Sequence, residues 1–241
     1  MPRINKYGQP IGDEVSNWTT RSEPENVTLV GRTCQVEPLD DVKHTEDLFD
    51  AYLQAPDGSD WTYLFEERFD ELEPFRKYIK TIAREKDPKF YAVIDLTTHK
   101  AVGMYSLMRI DPKNGVIEVG FITFSPLLKQ TVQSTEAQYL LMAYCFDELG
   151  YRRYEWKCDS FHAKSRKAAI RLGFKYEGVF RNAIVTKGRN RDTAWFSIID
   201  GEWPNIKSAF EAWLSPNNFD NQGKQLKNLA ELRESCGTGE S

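Results

Sequence analysis

Residues 116–146 read VIEVGFITFSPLLKQTVQSTEAQYLLMAYCF, and the change of pattern inside this stretch decides the fold. The apolar run over 116–124 predicts a strand. A polar turn over 126–135 then leads into a helix over 135–149, where Ala137, Leu140, Leu141, Tyr144 and Cys145 share one face. Thr135 and Gln138 stand in capping-box spacing, and Gly150 suits the C-terminal stop. The turn contains no glycine. A helix starting at Ser134 or Thr135 leaves backbone N–H groups without intrahelical partners, and with the helix dipole they attract an anion. Glycine ordinarily lets backbone approach a phosphate closely. Here Val132, Gln133 and Ser134 hold those places, Lys129 adds a cation, and Ser134 and Thr135 add hydroxyls. The residues alone leave two readings open: an anion cradle, or a capped helix start.

Upstream, FYAVID (90–95) and AVGMYSLMRI (101–110) join the 116–124 run through short turns, one of them carrying Asn114-Gly115. Three strands with such links make an antiparallel meander. Before them, VTLVGRTCQVEPL (27–39) reads as two strand pieces broken at Gly31. A helix over 41–55 places Val42, Phe49, Tyr52 and Leu53 near one face, and a second repeats Leu72, Phe75, Ile79 and Ile82. Downstream, RYEWKC (153–158) is a strand and SRKAAIRL (165–172) a short helix closed by Gly173. FKYEGVF, NAIVTK and TAWFSIID supply three more strands, with GRN (188–190) turning the chain between the last two. Trp203-Pro204 opens another helix, and a polar, helical tail follows. The expected organisation is an arm at 1–26, laid on the surface or disordered, a domain at 27–203 and a helical extension at 204–241. The expected fold class is α/β in the mixed, α+β sense: a central mixed, mostly antiparallel sheet flanked by helices.

Composition narrows the function. The 32 Lys and Arg against 36 Asp and Glu give a net charge of −4, which offers no electrostatic reason to expect nucleic acid as a partner. No run of about 18 apolar residues exists, so no membrane span is expected, and the N-terminal stretch lacks a secretory apolar core. Cys34, Cys145, Cys158 and Cys236 show no paired spacing and only three His are present, so neither a metal site nor a disulfide framework is expected. A reducing, cytoplasmic setting fits this usage.

The pieces VIEVGFITFSP, TEAQYLLMAYCFDELGYRRYEWKCDSFHAKSRKAAIRLGFKYEGVFR and KGRNRDTAWFSIIDGEW resemble the GNAT superfamily of acyl-CoA-dependent N-acetyltransferases, especially its RimJ/RimL-like subgroup. The resemblance covers roughly residues 90–200, with weaker agreement over 27–85. Its most specific part is strand-helix-strand followed by S-x-x-x-A-x-x-L-G-F-x-x-E-G, here Ser165 to Gly178. Two departures stand out. The superfamily's turn usually reads Gln/Arg-x-x-Gly-x-Gly/Ala, whereas this chain has Lys129, Gln130, Thr131, Val132, Gln133 and Ser134; and His162 stands where Asn is common.

The resemblance implies acetyl-CoA as co-substrate and a small-molecule or peptide amine as acceptor, with no metal. Backbone near Ile122, Thr123 and Phe124 would face the pantetheine arm and the acetyl carbonyl. The turn from Lys129 to Thr135, with Gln130, Thr131, Val132, Gln133 and Ser134, would hold the pyrophosphate. Glu118 is the expected general base: a carboxylate in an apolar strand, where burial raises its pKa, although a solvent-facing or arginine-paired residue fits the same pattern. Ser165 would protonate the departing sulfur, or cap a helix, or both. His162 would act as acid, base or cofactor contact, or lie on the surface. Arg166, with Lys164 and Lys167, reads as a solvated face from which one cation meets the adenosine phosphate. KGRNRD (187–192) reads as a solvated basic turn, with substrate contact as the lesser alternative. A non-catalytic acyl-CoA-binding protein is the competing function, and the tail beyond 203 either packs on the domain or makes a homodimer.

Overall fold

The computed structural model describes residues 3–237, with side chains through 235; the extreme ends of the arm and extension, and the Cys236 side chain, lie outside the described residues. A two-stranded hairpin, β1 (Arg3–Ile4) and β2 (Pro10–Ile11), opens the chain. The remaining strands form one eight-stranded sheet: β3 (Leu29–Val30), β4 (Cys34–Pro38), β5 (Lys89–Asp95), β6 (Lys100–Asp111), β7 (Val116–Phe124), β8 (Arg153–Asp159), β9 (Lys175–Thr186) and β10 (Arg189–Ile199). Their spatial order is β3-β4-β5-β6-β7-β8-β10-β9. Every pairing is antiparallel except β7 with β8, which the helix between them makes parallel.

Alternation along the strands sorts the core into two layers. Tyr91, Val93, Tyr105, Leu107, Ile117 and Tyr154 face α3 (Val132–Ala143) and α5 (Trp203–Leu214), whose Leu141, Met142, Trp203 and Phe210 complete that layer. Phe90, Ala92, Ile94 and Met104 face α1 (Thr45–Leu53) and α2 (Leu72–Ile82), with Leu48, Phe75 and Ile79. The helix α4 (Ala163–Leu172) closes with Gly173 at φ 105°, in the left-handed region. Near the C-terminus α6 (Leu229–Gly237) buries Leu229 and Leu232. Thus the extension packs on the sheet layer it follows. The arm is also tied down: Trp18 Nε1 donates to the Lys113 carbonyl at 2.8 Å, and Tyr151 Oη donates to that of Ser22 at 3.2 Å.

Local boundaries depart from the sequence reading in six places. α1 begins at Thr45, so its buried face is Thr45, Leu48, Ala51 and Tyr52, while Val42 and Leu53 are exposed. Thr131, not Ser134 or Thr135, caps α3: its Oγ1 accepts from Ser134 N at 3.2 Å. Thr135 and Gln138 are buried inside the helix instead of forming a capping box. α3 then widens into a π turn over Tyr144–Glu148 before Gly150. α4 begins two residues before Ser165, so Ser165 sits in its first turn and is not its cap. Finally, 175–186 is one strand, continuous through Gly178 (φ 155°) and Asn182 (φ 51°). Among the described residues no helix is long and apolar enough to cross a membrane, and no group of His, Cys, Asp and Glu is set to hold a metal.

Candidate functional site in the cleft between β7 and β8

The parallel register of β7 and β8 runs only from Val116↔Arg153 to Val119↔Trp156. Beyond it the strands part. On its other side β7 pairs Gly120 with Ser106 and Thr123 with Met104, three residues against two, so it carries a bulge. Phe121 adopts φ 48°, rare for a bulky residue, and neither it nor Ile122 has a register partner on either side. A cleft of about 130 Å³ opens at this point. Of the three backbone positions read from the sequence, Ile122 lines it. Thr123 and Phe124 have already returned to pairing with Met104 and Gly103.

Glu118 lines the cleft and is 5% exposed. Its Oε2 accepts from Lys157 Nζ at 2.7 Å and lies 3.2 Å from Arg109 Nε. Among the described residues Oε1 has no hydrogen bond. Burial pushes the Glu118 carboxyl's pKa above its ordinary value, and the Lys157 and Arg109 charges only partly offset this. Lys157 is itself buried, 2.7 Å from Glu155 Oε2 and 3.7 Å from the Trp195 ring centroid. From Glu155 the chain of charges continues through Arg153 at 2.6 Å to Glu177, where two guanidinium N–H groups meet the carboxylate at 2.8 and 2.6 Å. That fork holds Glu177 at a pKa of about 2.

The floor and far wall come from β8 and α4. Trp156 Nε1 donates to Ser165 Oγ at 3.0 Å, which orients the hydroxyl. The thiol of Cys158 stands beside it, and burial raises that thiol's pKa. His162 is half-buried and stacks on Tyr63 with ring centroids 4.3 Å apart; burial lowers its pKa. Tyr63 belongs to a strap over 59–67 that crosses the cleft mouth. Asp60 of the strap meets Lys129 Nζ at 2.5 Å, and Lys187 Nζ donates to the carbonyls of Trp61 at 2.9 Å and Glu66 at 2.8 Å. Arg189 bonds the carbonyl of Thr62.

The glycine-free turn lies outside the cleft lining and meets its strap through Lys129 and Asp60. Gln130 takes the positive φ, 62°, that a glycine would supply in its place. The N–H groups of Gln130, Val132 and Gln133 have no acceptor among the described residues. Lys129, read as the turn's cation, is engaged by Asp60. A different cation reaches the helix start: Arg171 Nη1 donates to Thr135 Oγ1 at 3.1 Å. Arg166 instead turns to the Ser160 carbonyl, 3.3 Å away, and the Tyr176 ring. The sequence analysis therefore missed Arg171, although it stands four residues after Lys167 on the same helix. It also missed Lys157, Tyr63 and Thr193. The basic segment 187–192 is not a solvated turn: Lys187 holds the strap and Arg191 is buried in the cleft.

The cleft brings together a buried carboxylate with a raised pKa, a hydroxyl with its oxygen occupied and a bulged backbone, and its strap meets the start of α3 through Lys129. Known proteins resemble the chain in sequence and fold. The family description "Acetyltransferase (GNAT) domain" matches residues 36–175. A GCN5-related N-acetyltransferase from Brucella melitensis superposes with TM-score 0.89 at 48% identity, covering 91% of this chain and 100% of that one. The Bacillus subtilis protein named "Putative ribosomal N-acetyltransferase YdaF" is 30% identical over 44% of this chain, and the match spans only 57% of its own length. An acetyl transferase from Salmonella typhimurium, described as modifying the N-terminal serine of ribosomal protein L7/L12, shares the fold with TM-score 0.59 at 20% identity over 70% of this chain and 96% of that one.

Proposed function

The chain belongs to the GNAT acetyltransferase family, and from that premise we propose that it moves an acetyl group from acetyl-CoA directly to a primary amine, with Glu118 as general base. The carrying observation is the Glu118 carboxylate: one oxygen is held by Lys157 and Arg109 while Oε1, free of hydrogen bonds, serves the cleft. Acetyl-CoA supplies an activated thioester; the remaining chemistry falls to the chain. An amine arrives protonated at neutral pH and attacks only after losing a proton, which Glu118 Oε1 accepts. A carboxylate with a raised pKa is a better proton acceptor than a surface one. The bulged backbone at Phe121 and Ile122 would donate to the oxygen on which negative charge develops. Ser165, oriented by the Trp156 N–H, would give its own hydrogen to the departing sulfur.

We assign the diphosphate to the N–H groups of Gln130, Val132 and Gln133 at the start of α3, with Arg171 nearby, and not to the Lys129 ammonium. His162 and Tyr63 wall the channel between that point and the bulge. In this reading residues 27–203 are the catalytic unit, with the arm 1–26 and extension 204–241 laid against it, and the protein works in the cytoplasm. The acceptor is a protein N-terminus or a small amine; the relative named for ribosomal acetylation supports the former. Purified protein incubated with acetyl-CoA and a panel of amines should release free thiol only when an amine is present. Acetyl-CoA binding without amine-dependent release would leave a non-catalytic acyl-CoA-binding protein.

A further inference from the structure

Arg191 takes no part in the chemistry just described, yet it is the least satisfied group in the cleft. It is 9% exposed, and its Nε is buried with no hydrogen-bond partner. Among the described residues it makes no hydrogen bond and no ion pair at all. Lys157 and Arg153, by contrast, each meet two carboxylates. Two residues along β10, Thr193 is 4% exposed, lines the same cleft and has an unpartnered Oγ1. The Arg191 Cζ lies over the Phe65 ring, 5.4 Å from its centroid.

A buried guanidinium stays charged, and stranding it without a counter-ion is strongly unfavourable. Its fork geometry matches a carboxylate, two parallel N–H donors to two oxygens. Arg191 lines the same cleft as Glu118, Arg109 and Asp159, whereas none of the described residues 126–135 does. Neither carboxylate bonds it: Asp159, whose charge favours the guanidinium without forming an ion pair, accepts from Phe161 N at 2.9 Å, and Glu118 is held by Lys157. We propose that Arg191 and Thr193 form a carboxylate subsite of the acceptor, so that the amine acetylated here belongs to a molecule that also bears a carboxylate. Two sources share that chemistry: the α-carboxylate of a free amino acid, and the acidic side chain of a peptide's N-terminal residue. This rests on the reading of the cleft as the acceptor site of acetyl transfer.

The test compares matched acceptors that differ only in the carboxylate. One pair is glycine and glycinamide; the other is two tetrapeptide amides, beginning with glutamate or with glutamine. Wild type should favour the carboxylate member of at least one pair by 30-fold or more in kcat/KM, and which pair responds identifies the source. Arg191→Gln should bring that ratio near one, chiefly through KM, with Arg191→Lys between them. Acetyl-CoA affinity by calorimetry should stay within twofold. No preference in either wild-type pair, or a preference that survives Arg191→Gln, overturns the proposal while leaving acetyl transfer intact. Loss of acetyl-CoA affinity in the variant would reassign Arg191 to the donor and overturn it equally. Absence of thiol release with every amine sinks both.

Discussion

Glu118 in β7 and Glu136 in α3 are buried alike, 5% and 4% exposed, and their surroundings are opposites. Glu136 Oε1 accepts from Arg32 N at 2.8 Å, and its Oε2 accepts from Thr33 N at 2.7 Å, Thr33 Oγ1 at 2.5 Å and Cys34 N at 3.0 Å. The turn between β3 and β4 wraps this carboxylate so closely that a Cβ at Gly31 would stand 2.6 Å from its Cδ. Nothing is left over for a ligand. Glu118 holds two cations on one oxygen and presents the other to a cleft. Burial alone therefore does not mark a functional carboxylate; incomplete satisfaction does.

The largest expected effect lies on the satisfied side. Glu136→Ala strands three backbone N–H groups and a hydroxyl, each worth about 1–3 kcal/mol when buried and unpaired, so a loss of about 3–5 kcal/mol is expected after partial rehydration. Urea unfolding measures it, and thiol release per folded molecule should be retained. A loss below about 1 kcal/mol would erase the contrast between the two carboxylates.

Glu118→Gln should behave in the reverse sense. Turnover should fall at least 100-fold, about 2.7 kcal/mol in the barrier, with acetyl-CoA affinity little changed. Its stability effect has a definite sign. A carboxyl with a raised folded-state pKa stabilises the fold below its unfolded pKa and loses that contribution as pH rises through the folded value. At neutral pH the ionised side chain is thus a liability, and the variant should gain on wild type as pH climbs above the ordinary carboxylate range. Over the same window wild-type kcat/KM should rise with pH along a limb that the variant lacks. Equal turnover in the two proteins removes Glu118 as the base.

Much of this contrast was readable in advance, and part of it was not. The apolar setting of Glu118 in VIEVGFITF is a local pattern, and so are the strand-helix-strand order and the Gly173 stop. The α3 cap is local and was misplaced all the same: Thr131 Oγ1 accepts from Ser134 N three residues on, while Arg171 from another helix engages Thr135. The segment 187–192 is basic and turn-like, and only contacts to residues more than 120 positions earlier make Lys187 and Arg189 a clasp. The strap at 59–67 has no periodicity to detect. Groups whose role depends on a distant partner were misread or passed over, whereas the local misreadings concern where elements begin and end.

The start of α3 lies between the two extremes, since its N–H groups at Gln130, Val132 and Gln133 are donors still without acceptors. Ser134→Glu adds to that end what Glu136 supplies further along, a carboxylate built into the chain. An acidic side chain in the first turn suits the helix dipole, so α3 should gain a few tenths to about 1 kcal/mol, visible in urea unfolding. The same charge would compete with a diphosphate for those amides and repel it. Acetyl-CoA affinity should weaken more than tenfold, about 1.4 kcal/mol or more, measured by calorimetry at fixed ionic strength. Stability and affinity should therefore move in opposite directions from one substitution, which a general perturbation of the helix does not produce. If stability rises and affinity stays, the amides are open but the diphosphate binds elsewhere, and the glycine-free turn is a helix cap and nothing more.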